Sequence, residues 1–282
     1  LPLMSCGARL TIWMLLIPAF FPPAWRAPVL WVIYFIGIAL ALVIALLLRR
    51  TVFRGSPAPF VLEVPPYRVP TLRVVFTKMF ERGWIYTQKA GTIILAISIV
   101  LWFLSTFPKP SSYDIDKDIA AGAVVVVESE AEAKHSDHLM TPSEVEATRS
   151  SEALLHSAAG RIGKFMEPGL EPLGFDWKLG TAMIGAFAAK EVFVAQMGVV
   201  YSVAEADENS PKLREIIQRD YTPLVGSSLI LFLLIAFPCM ATFAITKRET
   251  GSWKWASAQF VGLTALGYVL ALCVYQLGRL FS

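Results

Sequence analysis

The sequence predicts an all-α bundle of membrane-crossing helices, several of them broken inside the apolar layer. Three observations predict it: apolar runs near 20 residues, prolines set within such runs, and a composition that is 55% hydrophobic and 17% charged. A helix rising about 1.5 Å per residue needs roughly 20 residues to cross about 30 Å of hydrocarbon. With a mean hydropathy of +0.57, the chain holds more apolar surface than one soluble core hides, so the bilayer must act as solvent.

Leu10 to Phe21 is apolar but too short to span, lying between Gly7 and the Pro22-Pro23 pair, and reads as half of a broken helix. Pro28 to Leu48 is an uninterrupted span, and Arg49, Arg50 and Arg54 mark its cytoplasmic end. From Thr71 to Lys89, apolar residues recur at three and four while Arg73, Lys78, Glu81 and Arg82 take the other face. That pattern predicts an amphipathic helix at the interface over 71–89, feeding a second span over 90–107 that Pro108 ends. Residues 111–150, rich in Ser, Glu, Asp and Ala, predict a mobile extramembrane loop, followed by a surface helix over 152–166 that Pro168 interrupts.

The second half reads as a span over 179–203 with Lys190 and Glu191 at its centre, then a charged connector over 205–220. Two further spans follow, 224–246, broken by Pro238, and 256–281. Counting Lys and Arg places 49–89 in the cytoplasm, the acidic loop outside and the C-terminus inside, against which the connector with Lys247, Arg248 and Lys254 objects. The first residue, Leu1, enters a motif with no charged n-region or cleavage site before it, so the start is expected to be a truncation, not a signal peptide.

Chemistry is concentrated where apolar segments carry sulfur or charge. Pro2-Leu-Met-Ser-Cys6 and Phe237-Pro-Cys-Met-Ala-Thr242 echo each other, each joining Pro, Met and Cys inside an apolar stretch. A proline in a spanning helix frees a backbone carbonyl, and freed carbonyls persist in lipid only where protein or a water-filled cavity covers them. Matching breaks in two halves point to a substrate site near the midplane. Thiol and thioether sulfur beside a carboxylate suits late divalent metals over magnesium or calcium, which makes Cys6, Cys239, Met4, Met240 and Glu191 the candidate metal-ligating set. The competing reading takes both thiols as small buried residues at helix contacts. Intramembrane charges are functional by default, yet adjacent helical residues point about 100° apart. Glu191 is therefore the candidate for the metal path, and Lys190 is expected to find a partner elsewhere.

His135 and His138 read as solvated loop residues and Cys273 as a packing residue. The odd set of three cysteines has no CxxC spacing, against a disulfide framework or zinc ribbon. A formal charge of +3 with no basic stripe argues against nucleic acid as a partner. Gly160-Arg-Ile-Gly-Lys164 lacks the phosphate-loop spacing, and neither a Gly-x-Ser-x-Gly elbow nor a His-Glu-x-x-His pair occurs, so no motif supports an enzyme.

Seven segments resemble, in order, the C-terminal membrane half of FeoB ferrous-iron transporters. They are Leu1-Pro-Leu-Met-Ser-Cys-Gly-Ala-Arg9, Gln88-Lys-Ala-Gly-Thr-Ile-Ile-Leu95, Gly160-Arg-Ile-Gly-Lys164, Leu173-Gly-Phe-Asp-Trp177, Ala188-Ala-Lys-Glu-Val192, Pro238-Cys-Met-Ala-Thr242 and Arg248-Glu-Thr-Gly-Ser-Trp253. The loop over 109–150 is unmatched, and Thr11 stands where the family is expected to have proline.

The resemblance implies a multi-pass protein of the bacterial inner membrane with two Gate-type repeats, 1–107 and 179–282, flanking an extramembrane segment over 108–178. It implies Fe2+ transport into the cytoplasm with no cofactor, the family's Cys positions falling on Cys6 and Cys239 and its acidic residue on Glu191. It also implies an N-terminal GTP-binding domain, expected in the same polypeptide and absent from this chain, and leaves room for small Feo accessory proteins and a homo-oligomer. Two other readings stay open, a Gate-type transporter of a nucleoside or other solute, and a non-transporting membrane scaffold.

Overall fold

The computed structural model describes residues 6–51, 71–110, 112–121, 125–126, 139–203, 207 and 209–281. The fold is helical. Its one extended pairing among the described residues joins β1 (Val125–Val126) to β2 (Leu139–Met140) in parallel.

Helix α1 (Gly7–Phe20) has 14 residues, about 21 Å, and is too short to cross alone. Helix α2 (Pro23–Thr51) is long enough, and Trp31, Phe35, Leu42 and Leu47 stand exposed along it, as a lipid-facing helix requires. Helix α3 (Leu72–Thr106) corrects the expected division into an interfacial helix over 71–89 and a span over 90–107, because it runs unbroken for 35 residues. Gly83 and Gly91 each weaken a helix by about 1 kcal/mol, which is too little to stop one.

The expected mobile loop over 111–150 is corrected too. It contains α4 (Asp114–Ala120), and it leads into α5 (Pro142–His156). The Glu152 carboxylate accepts the backbone N–H groups of Asp114 (2.8 Å) and Ile115 (3.1 Å), satisfying donors at the start of α4. Thr141 and Glu144 form a reciprocal capping box at the start of α5. The expected helix over 152–166 is two helices, because Ser157 ends α5 in extended backbone and its hydroxyl accepts the Gly160 N–H at 3.2 Å to start α6 (Ala158–Leu170). Pro168 lies inside α6, and Pro172 lies in the 3-10 turn Glu171–Leu173 that follows.

Asp176 caps α7 (Trp177–Ala188), accepting the Leu179 N–H at 3.0 Å. Ala189 then takes extended backbone, φ −150° and ψ 138°, and α8 (Lys190–Val200) begins. The expected single span over 179–203 is therefore a pair of half-helices. The connector over 205–220 carries α9 (Pro211–Asp220), an amphipathic helix that buries Leu213 and Ile217. Helix α10 (Pro223–Ile235) and α11 (Met240–Thr250) are the halves on either side of Pro238, and α12 (Trp253–Phe281) closes the chain.

Three stretches are long and apolar enough to cross a membrane: Pro23–Thr51, Pro223–Thr250 across its break, and Trp253–Leu280. The exposed apolar faces of α2 and α12 flank a core built from α1, α7, α8 and α10, the last being the buried half of Pro223–Thr250, and there Trp13, Leu16, Leu179, Met183, Phe193 and Phe232 are fully buried. Helices α1 and α10 approach closely at Gly226, where a Cβ would collide with the ring of Phe20. The short helices thus fill the interior and the long ones wrap it.

Candidate functional site

The site begins with two backbone features that match. Cys6 (φ −91°, ψ 167°) and Cys239 (φ −61°, ψ 159°) each occupy the extended residue ahead of a half-helix, α1 and α11, and neither side chain makes a capping bond. The sequence echo thus corresponds to one local geometry used twice. The Cys239 thiol lies 3.3 Å from the Thr242 hydroxyl. Cys6 is exposed and Cys239 half-buried.

At the second break the helical ladder stops at the bond from Ala236 N–H to Phe232 O and resumes at Phe243 N–H to Cys239 O. Pro238 has no N–H to offer, and Phe237 is turned to φ +51°, a conformation uncommon for a bulky residue. Carbonyls at the end of α10 therefore lose their usual donors. Lys190 supplies two: its Nζ donates to Leu233 O at 3.4 Å and Ala236 O at 3.3 Å. The lysine is 3% exposed, and its partner is a helix end, as its expected separation from Glu191 required.

Arg9, one turn into α1, is likewise 3% exposed. Arg9 and Lys190 each interact electrostatically with both Cys6 and Cys239, and with each other, which gathers two thiols and two cations from α1, α8 and the α10–α11 break. Nothing in the sequence pattern singled out Arg9. The available signal was a charge placed only three residues after Cys6 in an otherwise apolar stretch.

The other candidates are placed as follows. Met240 is half-buried at the first position of α11, beside Cys239. Glu191 is exposed in the first turn of α8, turned away from buried Lys190. Met4, His135 and His138 lie outside the described residues. Cys273, expected to pack in a core, is exposed on α12. Among the described residues no group of three or more His, Cys, Asp or Glu side chains gathers as a metal cluster. A groove of about 790 Å³ between α2, α11 and α12 is walled by Ala41, Ile44, Leu48, Leu263 and Leu266, a lining that suits acyl chains.

Comparison with known proteins bears on both halves. Residues 30–82 match the family described as ferrous iron transport protein B C terminus, and residues 87–253 match the Gate family, described as nucleoside recognition. The chain is 37% identical over 99% of its length to a protein of Porphyromonas gingivalis named Fe(2+) transport protein A/Fe(2+) transporter FeoB fusion protein, covering 34% of it. It is 35% identical over its whole length to a Fe(2+) transporter FeoB of Leptospira biflexa, covering 38% of that protein. It is 33% identical over 96% of its length to one of Helicobacter pylori, covering 42%. The chain thus spans roughly two fifths or less of these curated relatives. No solved structure matches.

Proposed function

We propose that this chain, which belongs to the FeoB family as its C-terminal membrane region, conducts Fe2+ across the bacterial inner membrane into the cytoplasm, as the multi-pass part of a GTP-regulated protein. The observation that carries this reading is that Cys6 and Cys239 each occupy the extended residue ahead of a half-helix, near the same two buried basic side chains, Arg9 and Lys190. Two sulfur ligands suit Fe2+ better than Mg2+ or Ca2+. Met240, and with it Met4 and Glu191, complete the proposed set of stations along the path.

The half-helix lengths support a site near half-depth. Helix α10 has 13 residues, about 20 Å, so a break at its end falls within the hydrocarbon layer. The two repeats are read as 1–107 and 179–282, with 108–178 between them outside the membrane. Arg9 and Lys190 place two basic side chains beside the two thiols, so a divalent ion is held weakly here, and conduction requires that the ion leave as readily as it enters. No covalent bond of a substrate is broken in such a site, and the chain's part in the protein is not enzymatic. Fe2+ flux into liposomes holding the full-length protein, under anaerobic conditions, tests the reading. Flux lost in Cys6→Ser/Cys239→Ser supports it, and flux unchanged in that variant rejects it.

A further inference from the structure

We infer that Lys190 is a positioning residue, a pin that passes from the first residue of α8 to the open end of α10 and holds the break from which Cys239 projects. A cation at the start of a helix opposes the helix dipole, so nothing about α8 itself favours Lys190 there. At the end of α10 the dipole has the opposite sign, and an ammonium is favoured. The two bonds to Leu233 O and Ala236 O lie one turn apart along the carbonyls that Phe237 and Pro238 deprive of helical donors. Each such carbonyl, buried and unpaired, would favour closing the break or opening it to water.

The lysine removes that choice and fixes Phe237 in its turned-out conformation, with its ring against Phe232 at 5.5 Å and Phe260 at 6.1 Å. One side chain therefore joins the two broken pairs, α7–α8 and α10–α11, at their breaks. The role in transport rests on the reading of Cys239 as part of the iron path, while the pin itself rests on geometry alone.

Hydrogen exchange by mass spectrometry on the full-length protein, with no metal present, tests the pin. In Lys190→Met, amides of residues 233–243 are expected to exchange about tenfold faster or more, and N-ethylmaleimide to modify Cys239 faster by a similar factor. Amides of α12 remain at the wild-type rate. Lys190→Arg, which keeps a buried donor cation, restores most of the protection, and Lys190→Leu, which also has no donor, serves where the Met variant does not accumulate. Wild-type protection over 233–243 in the Met or Leu variant would overturn the inference. Because neither readout uses iron, a protein that fails to move Fe2+ yet loses protection in Lys190→Met would sink the iron reading and leave the pin standing.

Discussion

Cys6 and Cys239 stand in the same extended backbone ahead of a half-helix, yet one is exposed and the other half-buried behind a buried proline. The Cys239 break is braced by Lys190, by the rings of Phe232, Phe237 and Phe260, and by the Thr242 hydroxyl. The Cys6 cap leads straight into a helix whose buried face carries Arg9, Ile12, Trp13 and Leu16. The difference teaches that local geometry alone does not make two ligands equivalent: a braced thiol defines a position, whereas an open one can meet an arriving ion.

The largest expected effect treats the pair as a unit. Cys6→Ser with Cys239→Ser should lower Fe2+ flux by more than the roughly 10–100-fold that even outer-shell changes cost a metal site, measured in liposomes with expression matched. Single variants then separate the two roles. Cys239→Ser should cost more flux than Cys6→Ser, by several-fold, because the braced sulfur is held in one position that a hydroxyl does not fill as a metal ligand. Equal losses would mean that the exposure difference has no bearing on function, and the comparison would fail.

A third prediction addresses what links the two breaks. Helix α1 carries Phe20 against Gly226 of α10, so Gly226→Ala must push the ring aside. Overpacking of this kind destabilises by about 1–3 kcal/mol, to be read as a lower thermal midpoint in detergent. The same variant should weaken copper-catalysed crosslinking of Cys6 to Cys239, since α1 shifts against the braced helix. A wild-type midpoint and crosslinking yield would show that α1 sits independently of α10.

Much of this arrangement was legible in the sequence, and the remainder has physical reasons for hiding. The half-helix before Pro22, the span after it and the break at Pro238 follow from apolar length and proline chemistry, which are local. The echo of Pro, Met and Cys was readable as pattern, and its matching cap geometry follows from it. The break at Ala189 was not readable, because neither Gly nor Pro marks it. There the first residue of the new half-helix is held by carbonyls 43 and 46 residues away. Helix α4 and the first part of α5 are hidden by a polar composition, although Thr141-Pro-Ser-Glu144 is a capping box written in four residues. Arg9 went unnoticed for a related reason: its surroundings come from α8 and the second break, far along the chain.

The smallest expected effect probes the open side of the comparison from the pair α5 and α9. Helix α9 reaches α1 through Arg214, whose Nη2 donates to Met14 O at 3.0 Å, and reaches α5 through Lys212, 2.6 Å from the Glu144 carboxylate. Lys212 and the Thr141 backbone hold Glu144 below its ordinary value of 4.5. A depressed carboxylate stabilises the fold fully above that ordinary value and loses its contribution as pH falls through the lowered one. The link therefore persists at neutral pH and weakens on acidification below about 4.5. Because Lys212 is exposed and Glu144 partly so, Glu144→Gln should cost less than about 1 kcal/mol. Its useful readout is reactivity: at neutral pH Cys6 should label slightly faster in Glu144→Gln while Cys239 labels at the wild-type rate. Equal acceleration of both thiols would mean that the bracing at the second break also depends on α9, and the contrast between an open cap and a pinned one would have to be redrawn around that helix.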